Sequence, residues 1–204
     1  MVNRIKAVLL DFGGVLAEEG FREGLRAIGE RNGLDPGAFF ETADRIIYET
    51  GYLTGLADEA SFWSALREQT GIRGSDGELR REILRRFVVR PEMLAFVDLL
   101  RSRGLIVAML SDQTNWLEEL DRLTPLYAHF DRVFNSFRLG KSKREPSVFR
   151  DVCADLGVRP GEALFVDDNR DHVARAAGEG LRVIYFKDVD SFKRELSRFV
   201  TLEG

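Results

Sequence analysis

Asp11, Ser111, Lys143 and the pair Asp167–Asp168 are the residues whose types and placement could do chemistry in this chain. Each follows a short apolar run. Asp11, Gly13 and Gly14 follow the first. Ser111, Asp112, Gln113, Thr114 and Asn115 follow the second. Lys141 and Lys143 follow a weaker third, and Asp167, Asp168 and Asn169 a fourth. Taken singly, an acid after a strand often serves as a turn residue or a helix N-cap. Three acids, a hydroxyl and a lysine brought to one edge are a different matter. Carboxylates gather a hard cation, and a cation with an ammonium lets an anion approach acids.

The runs themselves must do the gathering. Residues 6–10, 105–110, 163–166 and 181–186 are continuous apolar stretches, as expected of strands covered on both faces, and 132–134 is a weaker fifth. Amphipathic patterns lie between them. Met93, Val97 and Leu100 form one stripe, and Val148, Val152 and Leu156 a second that starts at Pro146 and stops at Gly157. Val173, Ala176 and Ala177 form a third, and Phe192, Leu196 and Phe199 a fourth. Strand and helix alternation predicts an α/β fold with a Rossmann-like parallel sheet flanked by helices. In such sheets ligands bind beyond the carboxyl ends of the strands, on the side where these residues fall. Residues 17–90 read otherwise: four helical faces and no strand. They are expected to form a helical cap inserted after the first strand, on a core made of residues 1–16 and 91–204.

Composition narrows the function. The chain has 204 residues, 44% of them hydrophobic, which suffices for one substantial core. A formal net charge of −4 disfavours a nucleic-acid partner. No stretch approaches the roughly 18 apolar residues of a membrane span, so no membrane partner is expected. The lone Cys153 cannot form an internal disulfide and fits a reducing compartment, the cytoplasm. It lies on an apolar stripe and is expected to be inert. Arg80, Arg81, Arg85 and Arg86 read as a solvated helix face. His172 and His129 are given no catalytic role.

The chain resembles the haloacid dehalogenase-like hydrolase superfamily over nearly its whole length. "LLDFGGVL" is similar to that family's first motif, "VAMLSDQTN" to its second, "LGKSKREPSVF" to its third and "ALFVDDNRDHVARAAGEGL" to its fourth. "DFGGV" and "VDDN" resemble the branch that holds sugar-phosphate phosphatases and the N-terminal phosphatase domain of soluble epoxide hydrolases. The resemblance implies a Mg²⁺-dependent phosphatase acting on a small phosphorylated metabolite. Asp11 would be the nucleophile, forming an aspartyl phosphate. Asp11, the Gly13 carbonyl, Asp168 and Asp167 would face the metal. Lys143, with Lys141 in reserve, would neutralise phosphate and hold Asp11. Ser111 and Asp112 would stand with Lys143 on the phosphate side.

One departure is consequential. Phosphatases of this superfamily mostly carry a second acid two residues after the nucleophile, which protonates the leaving group. Here that position is Gly13. General acid–base catalysis is worth about 10²–10⁴-fold. Three readings follow. A phosphatase with a good leaving group, or with an acid borrowed from Glu18, Glu19 or Asp112, is the first. A 2-haloacid dehalogenase, whose leaving halide needs no proton, is the second, disfavoured by the intact Asp167–Asp168 pair. A catalytically impaired relative that binds Mg²⁺ and a phospholigand is the third.

Overall fold

The computed structural model describes residues 4–201. Five parallel strands, β1 (Ala7–Leu10), β2 (Ile106–Ser111), β3 (Arg132–Asn135), β4 (Ala163–Asp167) and β5 (Arg182–Tyr185), form one sheet in the order β3-β2-β1-β4-β5. The weak third run is an edge strand, and its short, partly exposed pattern follows from having only β2 beside it. β1 is central and buried throughout, which is why its sequence shows no alternation. Leu10 pairs with Met109 on one side and Val166 on the other. Asp11, Ser111 and Asp167 therefore emerge from three adjacent strands at the same edge.

Helices cover both faces. α5 (Pro91–Ser102), α6 (Trp116–Leu123), α7 (Ser136–Leu139), α8 (Ser147–Asp155), α9 (Arg170–Gly178) and α10 (Val189–Leu196) belong to the part of the chain that carries β2–β5. α5 opens with Pro91 at its first turn, where a missing N–H costs nothing. α9 is started by Asn169, whose side chain accepts from the backbone N–H groups of Asp171 and His172. Cys153 sits in α8, buried among the residues packed on β1, β2 and β4. Burial pushes its thiol up to about 11, so it is protonated at neutral pH.

Between β1 and β2 lie α1 (Gly20–Arg31), α2 (Pro36–Glu49), α3 (Glu59–Thr70) and α4 (Asp76–Leu84). Ser75 and Glu78 form a reciprocal capping box at the start of α4, and Asp35 with Pro36 starts α2. The chain leaves and re-enters the sheet domain on two crossing segments held side by side. Ala17 bridges Val89, Glu18 N–H donates to Val88 O at 2.9 Å, and Arg90 N–H donates to Leu16 O at 2.8 Å. Arg90 adds Nη1 bonds to the carbonyls of Gly14 and Val15 at 2.6 and 2.8 Å, and an ion pair with Glu18 at 3.0 Å.

These four helices are docked by an aromatic cluster. Tyr52, Phe62 and Trp63 pack on Trp116 with ring centroids 5.7–6.4 Å apart, and Tyr52 also meets Phe137 at 6.0 Å. The arginine-rich α4 segment departs from the sequence expectation of a solvated face. Arg85 and Arg86 both donate to buried Glu82, and Arg80 pairs with Glu59 at 2.7 Å and Glu119 at 3.3 Å. Glu82 is a buried acid and needs those partners, a demand that helical periodicity does not reveal. Arg81 and Arg85 are exposed, while Arg80 and Arg86 are half-buried.

Candidate active site

Lys143 is the centre of the site. Its ammonium stands 2.8 Å from Asp11 Oδ2 and 2.7 Å from Asp167 Oδ2, at 1% side-chain exposure. Lys141, two residues away, points outward and pairs with Asp151. Asp112 sets the loop that makes this difference. Its Oδ1 accepts from the Lys143 N–H at 2.9 Å, and its Oδ2 accepts from Tyr48 Oη of α2 at 3.3 Å. Asp112 thus joins the lysine loop to the helical segment, besides lining the cavity with Ser111.

The carboxylates are fixed by backbone donors. Phe12 N–H donates to Asp11 Oδ1 at 2.7 Å, and Asn169 N–H to Asp167 Oδ1 at 2.7 Å. Asp167 Oδ2 also faces His172 Nδ1 at 3.2 Å, so His172, which the sequence left without a task, is a neighbour of the charge cluster. One oxygen each of Asp11, Asp167 and Asp168 lie within 4.8 Å of one another. Gly14 allows this. It has φ +82°, and a Cβ there would stand 2.2 Å from Asp168 Oδ2. Only glycine fits both the conformation and the approach.

Charge and burial pull these groups apart in acidity. Burial raises Asp11 well above the usual range, and Asp167 and Asp168 add to the rise against the opposing pull of Lys143. Burial alone would raise Asp167 too, but Lys143 and His172 outweigh it and hold it down to about 2. Lys143 is raised because Asp11, Asp167 and Asp112 outweigh the cost of burying its charge. Asp168 is raised by burial and by Asp167. Four carboxylates thus surround one ammonium, and an anionic ligand needs further positive charge here.

The cavity above this cluster has a volume of about 310 Å³. Asp11, Ser111, Lys143 and Asp168 floor it, and Phe40, Tyr48 and Arg144 stand on its wall. Arg144 follows Lys143 in the same loop. Its guanidinium lies 3.3 Å from the Tyr48 ring centroid and pairs with Asp44 at 2.9 Å. Of the acids near the crossing segments, Glu18 is exposed and paired with Arg90, while Glu19 turns into the cavity. Burial raises the Glu19 carboxyl, although the Arg22 N–H on Oε1 at 3.2 Å pulls it back.

A parallel α/β fold with an acid–lysine cluster at the strand ends defines the class: a hydrolase related to phosphatases. The chain belongs to the haloacid dehalogenase-like hydrolase family, whose model matches residues 5–179. Phosphoserine phosphatase of Thermus thermophilus is 31% identical over 88% of this chain and 80% of its own length. Bifunctional epoxide hydrolase 2 of Rattus norvegicus is 29% identical over 55% of this chain, a stretch that makes up only 21% of that protein. Among solved structures, a HAD family enzyme of Bacteroides thetaiotaomicron, in complex with magnesium and inorganic phosphate, superposes with TM-score 0.72 at 24% identity, over 92% of this chain and 98% of that one. Solved dehalogenases share the fold as well. No helix among the described residues is long and apolar enough to cross a membrane.

Proposed function

We propose that the protein is a Mg²⁺-dependent phosphatase of a small phosphorylated metabolite, and that it works by phosphoryl transfer to Asp11. The observation that carries this is the cluster of Asp11, Asp167 and Asp168 around one point, with Lys143 fixed between two of them. An all-oxygen donor set suits a hard divalent cation, and softer metals would call for nitrogen or sulfur. Asp168 is the least committed of the three, because both oxygens of Asp11 (Phe12 N–H and Lys143) and both of Asp167 (Lys143 and Asn169 N–H) already have donors. When bound, Mg²⁺ would neutralise the phosphate and the acids together.

The chain's own groups account for the rest. Phe12 N–H and Lys143 Nζ hold the Asp11 carboxylate in one orientation, so that one oxygen can attack phosphorus in line. Lys143 then shares the charge of the transferring phosphoryl group. Ser111, at the tip of β2, lines the same cavity and would bind a phosphate oxygen. Trp116 lines the cavity, and its indole Nε1 is buried without an acceptor among the described residues. The Tyr48–Arg144 stack and Phe40 would meet the non-phosphate part of the substrate, as the helical segment 17–90 acts as cap.

Phosphate release from acetyl phosphate and a panel of sugar phosphates, with Mg²⁺ or with EDTA, tests the reading. Metal-dependent release that vanishes in Asp11→Asn is expected. Metal-independent halide release from 2-haloacids would replace it with the dehalogenase reading, and ligand binding without turnover would leave a binding protein.

A further inference from the structure

Gly13 leaves a hole where the leaving group needs an acid, and the hole is filled from another segment. A Cβ on Gly13 would lie 3.5 Å from Glu19 Oε2, 3.3 Å from Phe87 Cε1 and 3.9 Å from Gln113 Nε2. A carboxylate oxygen thus stands within van der Waals contact of the point where the side chain of an acid at position 13 would begin. Its orientation is set. Glu19 Oε1 accepts from Arg22 N–H at 3.2 Å as the N-cap of α1, and Oε2 is left on the Gly13 side. Glu19 lines the same cavity as Asp11, Ser111 and Lys143. The other acids are committed elsewhere: Glu18 to Arg90, and Asp112 to Lys143 N–H and Tyr48 Oη. The Phe87 ring closes the far side of the hole, packed on Phe12 at 5.3 Å.

We infer that Glu19 is the general acid and base of the reaction, supplied by the cap helix in place of the side chain missing at Gly13. The inference rests on the reading of Asp11 as the phosphorylated nucleophile. In the first step the Asp11 Oδ–phosphorus bond forms as the bond from phosphorus to the alcohol oxygen breaks. The electron pair goes to that oxygen, which takes the proton of the Glu19 carboxyl. In the second step Glu19, now a carboxylate, takes a proton from water as the water oxygen attacks phosphorus. The Asp11–phosphorus bond breaks, inorganic phosphate leaves and Glu19 is again protonated. The sum is hydrolysis of one phosphate ester by one water.

Glu19→Gln tests this, because glutamine keeps an acceptor for Arg22 N–H and loses only the proton. With p-nitrophenyl phosphate the leaving group departs without protonation, so the first step stays close to the wild-type rate. Dephosphorylation falls by about 10²–10⁴-fold. The expected record is a burst of nitrophenolate equal to the enzyme concentration, followed by a slow steady state with phosphoenzyme trapped. With an alkyl phosphate the variant shows no burst, because its first step is slowed as well. The double variant Glu19→Ala with Gly13→Asp regains alkyl-phosphate turnover by roughly tenfold or more over Glu19→Ala alone. Unchanged turnover in Glu19→Gln, or equal loss on both substrates without a burst, overturns the assignment of Glu19 while the Asp11 reading stands. A wild-type protein that forms no phosphoenzyme overturns both.

Discussion

Replacing Lys143 with methionine removes one buried ammonium and leaves its stem nearly unchanged in volume. Lys143 contacts Asp11 and Asp167 at 2.8 and 2.7 Å. At an effective dielectric of about 20, each contact is worth about 6 kcal/mol before desolvation. Desolvating one ammonium and two carboxylates offsets most of that, and removing one partner of a buried ionic cluster costs about 3–5 kcal/mol. For a chain of this size that corresponds to a fall in Tm of about 6–20 °C. The deficit depends on pH in a definite direction. In the wild type, Asp167 is held down to about 2 and Lys143 is raised, so their contribution is present across neutral pH. In the variant, Asp11 and Asp167 are left buried side by side, and their folded-state acidity weakens relative to the unfolded chain. They are then protonated in both states at low pH, and the penalty grows as pH rises through about 4. Urea titrations at several pH values measure this, with Lys141→Met as control. Lys141 is exposed, and its pair with Asp151 is worth about 1 kcal/mol or less. Saturating Mg²⁺ is expected to raise Tm more in Lys143→Met than in the wild type, because it supplies the missing positive charge. A deficit below about 1 kcal/mol at neutral pH, or one equal to that of Lys141→Met, would refute the electrostatic account.

Gly14→Ala is expected to weaken Mg²⁺ binding, read by calorimetry, because a Cβ 2.2 Å from Asp168 Oδ2 must drive that carboxylate out of the cluster. An unchanged affinity would remove Asp168 from the proposed ligand set. Away from the site, Glu162 pairs with Arg159 at 2.8 Å and Lys6 at 3.0 Å, and the Arg159 bonds lead in holding its carboxyl down to about 2 from the usual 4.5. A depressed carboxylate contributes stability above its unfolded pKa that is lost as pH falls through the folded one, so Tm should drop between pH 4.5 and 2. Glu162→Gln should flatten that drop in a pH series of thermal melts, and an equally steep variant curve would contradict the pairing.

The sequence by itself determined the sheet, because buried parallel strands must be written as uninterrupted apolar runs. All four strong runs and the weak one at 132–134 became strands. It also placed the acids and the hydroxyl at strand ends and the lysines in the segment after the third strand, and it exposed the gap at Gly13. It could not choose between Lys141 and Lys143, two residues apart in one loop, since the bond that Lys143 N–H donates to Asp112, which accompanies the inward turn, joins segments far apart in the chain. Nor could it tell Glu18 from Glu19. Adjacent residues at a crossing segment point opposite ways, and the choice depends on Arg90 reaching across from the far end of the inserted helices. His172 lacked a motif role, and its place beside Asp167 comes from the pitch of α9 once Asn169 has capped it. Strand positions along the chain and hydrophobic pattern are local or one-dimensional properties. The proton inventory of the site is set by contacts between segments far apart in the chain, and those exist only after folding.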